Sequence, residues 1–176
     1  MQEDQDQIVS DPRHIARILA VQYLFTQYKK ENEAGFLPFE VESLLQILEE
    51  EKYDKNLYEK LIDGVENSTE ELDTIIKQKA PEWPIDQINP VNLSILRIAL
   101  WEGFVAKLTP PKVVINEAIE MAKQLSSEAD GSFINGVLGN IYNELKDKLE
   151  TTTSNTQENT DGTSNWFNKN PKLRDF

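Results

Sequence analysis

Apolar residues recur with helical spacing along this chain of 176 residues, and no stretch alternates with period two for long enough to make a strand. From Ile15, the positions Ile18, Leu19, Ala20, Val21, Leu24 and Phe25 form a wide stripe that predicts a helix to about Lys30. Phe39, Val41, Leu44, Leu45 and Leu48 predict a second helix, ended by the polar run Glu49–Lys52. Leu57, Leu61, Ile62 and Val65 predict a third, and Leu72, Ile75 and Ile76 a fourth. Asp11-Pro12 and Asn89-Pro90 each set a capping side chain before a proline at the first helical position, where the missing N–H costs nothing. Ser68 and Glu71 have the spacing of a capping box.

The second half is more apolar. Val91 to Leu108 carries Leu93, Ile95, Leu96, Ile98, Ala99, Leu100, Trp101, Phe104 and Val105 around most of a helix circumference, the mark of a helix buried inside a bundle. Pro110-Pro111 breaks it, and Val114, Ile115, Ala118, Ile119, Ala122 and Leu125 predict the next helix. After a polar link, Ser126 to Gly131, the residues Phe133, Val137, Leu138, Ile141 and Leu145 predict the last. The expectation is an all-α fold of about seven helices in two packed three-helix subbundles, joined near Pro81 to Pro90. Residues 1–10 read as a flexible N-terminus and 11–149 as the helical domain. Residues 150–176 read as a polar disordered tail, since Glu150 to Asn165 offers no apolar anchor. The tail's end, with Trp166, Phe167, Leu173 and Phe176, reads as a solvated segment or as a docking peptide.

Composition narrows the function. With no cysteine, a disulfide scaffold, a thiol nucleophile and Cys-ligated metal are excluded. No apolar run approaches the roughly 20 residues that span a bilayer, and the acidic N-terminus is unlike a secretory signal. The chain reads as cytoplasmic, with no membrane partner. One histidine, no phosphate-cradling glycine loop and no nucleophile–base pattern make a binding module the stronger expectation than an enzyme, with no cofactor and no metal site. The 18 Lys+Arg against 31 Asp+Glu give a net charge of −13, which on its face opposes nucleic acid. Yet residues 31–90 hold 16 of the acids against five bases, while residues 1–30 hold four of each. A local neutral or basic face is therefore compatible with the total.

Arg13, His14 and Arg17 stand at the first helix start, with the two arginines four apart and so on one face. Cations there gain nothing from the helix dipole, which favours anions at that end. They are read equally as phosphate ligands or as partners of nearby acids such as Asp11. Arg97, inside the most apolar helix, calls for a carboxylate from a neighbouring helix. Glu117 has a similar structural reading, and Asn116 and Asn135 read as groups satisfying helix-end backbone.

Several stretches together resemble the NusB family of bacterial transcription antitermination factors. They are ARILAVQYLF (Ala16 to Phe25), LIDGVENSTEELD (Leu61 to Asp73), PVNLSILRIALWE (Pro90 to Glu102), PPKVVINEAIEMAK (Pro110 to Lys123) and SFINGVLGNI (Ser132 to Ile141). The resemblance spans about Asp11 to Leu149. It implies two three-helix subdomains without catalysis, binding to boxA-like RNA of the ribosomal RNA leader, and joint action with a small-subunit ribosomal protein, NusE, in the RNA polymerase antitermination complex. By position it implies RNA contacts at Arg13, His14, Arg17 and Phe133, and partner contacts at Phe25 and Asn92. Here the arginine-rich start is diluted, with Ile15 in place of a base, and Asn92 stands where an acid is common. Ser132 stands where a lysine is common. Two other readings belong to different classes. One is a helical protein-interaction module with weakened or lost RNA binding. The other is the N-terminal module of a ribosomal-RNA cytosine methyltransferase, whose long catalytic domain this sequence does not contain.

Overall fold

The computed structural model describes residues 11–35 and 52–154. The predicted flexible segment 1–10, the predicted helix over Phe39–Leu48 and residues 155–176 of the predicted tail lie outside the described residues, whereas residues 150–154, expected to begin the tail, continue the last helix. Those described fold as six α-helices without a strand: α1 Pro12–Asn32, α2 Lys55–Glu66, α3 Thr69–Lys79, α4 Pro90–Leu100, α5 Pro111–Leu125 and α6 Glu128–Ser154. A short 3₁₀ turn, Ile85–Gln87, precedes α4, and a π turn, Trp101–Val105, follows it. The chain divides into two compact units between Gly64 and Val65, upstream of the Pro81–Pro90 junction that the sequence suggests.

In the first unit, the Asp11 carboxylate accepts the Arg13 N–H at 2.9 Å and Pro12 opens the helix, as the cap pattern predicts. Ala16, Leu19, Ala20, Val21 and Leu24 are buried along α1, and Lys29 and Lys30 face the negative end of its dipole. Asp54 caps α2 by accepting the Leu57 N–H, while its own N–H donates to the Pro12 carbonyl. That bond ties the start of α2 to the start of α1.

In the second unit, α4 is buried nearly all round, with Leu93, Ile95, Leu96, Ile98, Ala99 and Leu100 each at most 2% exposed. It packs against α3, α5 and α6, and α5 and α6 form a helical hairpin. Asn89 accepts the Val91 N–H at 2.9 Å, and Pro90 and Pro111 both sit in the first turn of their helices. The Arg97 guanidinium finds its acid on α3: Nε and Nη2 donate to the two Asp73 carboxylate oxygens at 2.8 and 2.9 Å.

Four local expectations are corrected. Ser68 is the N-cap of α3, with φ/ψ of −127°/12°, but its side chain makes no cap hydrogen bond. Instead, the Thr69 hydroxyl donates back to the Val65 carbonyl at 2.8 Å. The helix predicted to reach Leu108 leaves α geometry at Trp101, because Gly103 lies against Val114, where even a Cβ would approach to 3.2 Å. The chain then reverses through Lys107, whose φ is 52°. The Ser126–Gly131 link shrinks to Ser126–Ser127: the Ser127 hydroxyl accepts the Asp130 N–H at 3.2 Å and starts α6 early. Asn116 and Asn135 sit on exposed faces inside α5 and α6 rather than at helix ends.

Candidate nucleic-acid interface

The basic start of α1 presents its cations unequally. Arg13 is exposed, His14 is half-buried, and Arg17 is 3% exposed and engaged by neighbouring groups. Spacing of four places both arginines on one side of α1, but the side nearer the first turn meets solvent while the next turn meets the interior. Further along, Phe25 is half-buried, with the Lys29 ammonium 6.0 Å from its ring centroid. Arg13, His14, Arg17 and Phe25 belong to the unit before Gly64, and Phe133 and Asn92 to the unit after it.

Asn92 is 2% exposed at the start of α4. Its amide donates to Asp130, while its own carbonyl oxygen is buried without a hydrogen-bond partner among the described residues. Asp130 also accepts from the Ser126 and Ser127 hydroxyls at 2.6 and 2.5 Å. These hydroxyls, with a smaller contribution from Asn92, hold the Asp130 carboxyl below its usual range despite the opposing cost of partial burial. The cluster joins the first turn of α4 to the α5–α6 corner.

Phe133 is half-buried on the same helix as Asp130 and faces Trp83, a residue that sequence reasoning passed over. The two rings lie edge to face, with centroids 5.8 Å apart and planes at 70°. Trp83 is 52% exposed, the most exposed of the large apolar side chains among the described residues. It sits between Pro81 and Pro84, and its N–H closes a turn onto the Ala80 carbonyl at 3.0 Å. A tryptophan held in such a turn, with proline on both sides, was the available signal. Together the 79–83 segment and the α6 face from Ser132 to Asn140 line an open cleft of about 390 Å³. At its edge, Lys79 pairs with Glu144.

One further polar residue escaped the sequence reading. Glu102, in the π turn, is fully buried, and its carboxyl accepts the Thr109 hydroxyl at 2.6 Å. Its backbone carbonyl accepts the Leu108 N–H at 2.9 Å, so it organises the α4–α5 corner. Among the described residues no group of three or more His, Asp or Glu is placed to hold a metal, and no helix is long and apolar enough to cross a membrane.

The sequence profile of the NusB family matches residues 14–143. A "Transcription antitermination protein NusB" of Roseiflexus castenholzii is 35% identical over 145 residues, covering 77% of this chain and 95% of the relative. One from Clostridium acetobutylicum is 38% identical over 98 residues, covering 56% of this chain and 73% of the relative. Among solved structures, T. maritima NusB superposes with a TM-score of 0.61 at 30% identity, over 77% of this chain and 93% of that one. A chain from a complex of the antitermination factors NusB and NusE with double-stranded RNA superposes with a TM-score of 0.57 at 25% identity, over 74% and 97%. With its helices, their order and its sequence matched along most of the length, this chain belongs to the NusB family.

Proposed function

We propose that this chain is a cytoplasmic transcription antitermination factor that binds boxA-like RNA of the ribosomal RNA leader. It does so together with a small-subunit ribosomal protein acting as NusE, within the RNA polymerase antitermination complex. The observation that carries the reading is the family match over residues 14–143, which includes His14 and Arg17 and begins just past the exposed Arg13. A structural neighbour from a NusB–NusE–RNA complex supports it. In this reading Arg13 and His14 meet phosphate, Phe133 meets a base, and Phe25 borders the protein partner. Arg17 and Asn92, both buried, act from beneath by fixing the surfaces above them. The acidic stretch over residues 31–90 suits a basic ribosomal protein, whose cations add to the few that this chain offers.

The test is a titration of labelled boxA-like RNA at several salt concentrations, with and without the cognate ribosomal protein. Binding that tightens at least tenfold with the partner, and a salt slope that drops by about 0.7 for Arg13→Ala, are the expected results. No binding in either condition sinks the reading. Weak RNA binding that the partner does not improve, with an affinity and slope that ignore Arg13→Ala, favours a helical interaction module, a reading that the burial of Arg17 makes worth testing.

A further inference from the structure

We propose that the cleft between Trp83 and the Ser132–Asn140 face of α6 takes one unpaired nucleobase, stacked on the exposed indole of Trp83. The inference rests on the RNA-binding reading above and adds to it a specific subsite and a new contact residue.

The display of Trp83 is the first reason. Half of a large apolar side chain is left in water by a turn that holds it out between two prolines, and its neighbour Phe133 meets it edge to face. An edge-to-face pair leaves at least one π face uncovered, and the contact restrains both rings. Such a restrained, open aromatic suits a planar ligand that stacks. The cleft volume of about 390 Å³ falls within the range of small-ligand sites.

Charge and polarity identify the ligand. The Lys79 ammonium is neutralised by Glu144, and Glu82 is exposed on the rim, so the cleft carries no excess of positive charge. Phosphate is therefore not what it recognises. A ligand held by its face and not by its charge fits, and a nucleobase is one. At the rim the exposed Asn140 offers an amide and Ser132, whose hydroxyl donates to the Glu128 carbonyl at 3.3 Å, offers an acceptor oxygen, which match base edges better than an apolar peptide side chain. A base inside a duplex is already stacked on its neighbours, so only an unpaired one has a free face. Gly136 leaves room for it: a Cβ added there would meet nothing within 4 Å.

The test uses the full chain and a fluorescein-labelled single-stranded boxA-like RNA, free or annealed to its complement, with the ribosomal partner present throughout. Trp83→Ala is expected to weaken single-strand binding by roughly 5- to 100-fold with an unchanged salt slope, because stacking releases no counterions. Trp83→Phe keeps affinity within about threefold, while Trp83→Leu falls with Ala, since leucine restores bulk but not a π face. Gly136→Leu puts a side chain into the cleft and leaves residue 83 unchanged. It is expected to cost a similar factor while thermal stability holds or rises, which separates occlusion from misfolding. Duplex binding is unaffected by all four. If the wild type binds the RNA and both Trp83→Ala and Gly136→Leu match it, this inference fails and the RNA reading stands. Full affinity in Trp83→Leu also overturns it, by showing that an apolar contact suffices. A wild type that binds no RNA removes the reading on which it rests.

Discussion

Replacing Asp73 with Ala isolates a bidentate ion pair that bridges α3 and α4. Both Arg97 contacts to Asp73 are short and oriented, at 2.8 and 2.9 Å, and the two side chains are only 14% and 19% exposed. Removing one partner of a fully buried pair costs about 3–5 kcal/mol, because a desolvated charge is left alone. The residual exposure here lets water reach the guanidinium, which lowers the expected cost to about 2–3 kcal/mol. With a urea m-value of about 2 kcal/mol/M, the unfolding midpoint falls by roughly 1–1.5 M. Urea titrations followed by circular dichroism give this number. Two controls locate its source. Asp73→Asn keeps one acceptor but no charge and should lose about half as much, and an Asp73→Leu/Arg97→Met double variant should recover most of the loss. Should Asp73→Ala sit within about 0.5 kcal/mol of the wild type, or the double variant fare no better than the single, the pair does not hold α3 to α4.

The glycines of the second unit should respond in opposite directions. Gly139→Ala, with nothing within 4 Å of the new Cβ, gains about 0.5–1 kcal/mol in a thermal melt, whereas Gly103→Ala drives a methyl to 3.2 Å from the Val114 Cβ and loses stability. Thr109→Val, nearly the same shape, removes the hydroxyl that donates to buried Glu102 and should cost about 1–3 kcal/mol by urea unfolding. Asp130 predicts a pH signature. Its lowered pKa means that its contribution is complete above the unfolded value of about 4 and drains away as pH falls through the folded one. Stability measured from pH 5 to pH 2 should therefore fall less steeply in Asp130→Asn than in the wild type.

What the sequence made legible, and what it hid, follows from the range of the forces involved. Caps act within a turn, so Asp11-Pro12 and Asn89-Pro90 are readable from two letters and stand as expected. Arg97 is readable for a different reason: a guanidinium in the most apolar helix has few tolerable solutions, and a carboxylate from a neighbouring helix is the commonest. Ser68 shows the limit of local reasoning, since the same spacing serves a capping box or, as here, makes no cap bond. The π turn was hidden because its cause is tertiary, the approach of Val114 to Gly103 from the next helix. Arg17 misleads in a related way. Periodicity says which residues share a face, but one face passes from solvent to core within a turn. The cleft was least legible, because Trp83 and Phe133 are 50 positions apart and neither belongs to a motif that names the other.

Charge sets a bound on how strongly the start of α1 can hold RNA. Each phosphate neutralised on a single strand contributes about 0.7 to the slope of log affinity against log salt. One exposed arginine and one half-buried histidine at the start of α1 therefore support at most about two contacts there, or a slope near 1.4. Between 50 and 200 mM salt such a binder weakens only about sevenfold, where one making six contacts weakens by a few hundredfold. Affinity beyond that comes from cations elsewhere on the chain, from contacts that salt does not screen, such as stacking, or from a second protein that brings its own cations. The salt slope separates them. Stacking raises affinity at every salt concentration, whereas a basic partner raises both the affinity and the slope. A slope steeper than about 3 for the chain alone would show that cations outside the first turn of α1 carry most of the phosphate contacts and would overturn the placement of the RNA there, since that turn has too few to produce it.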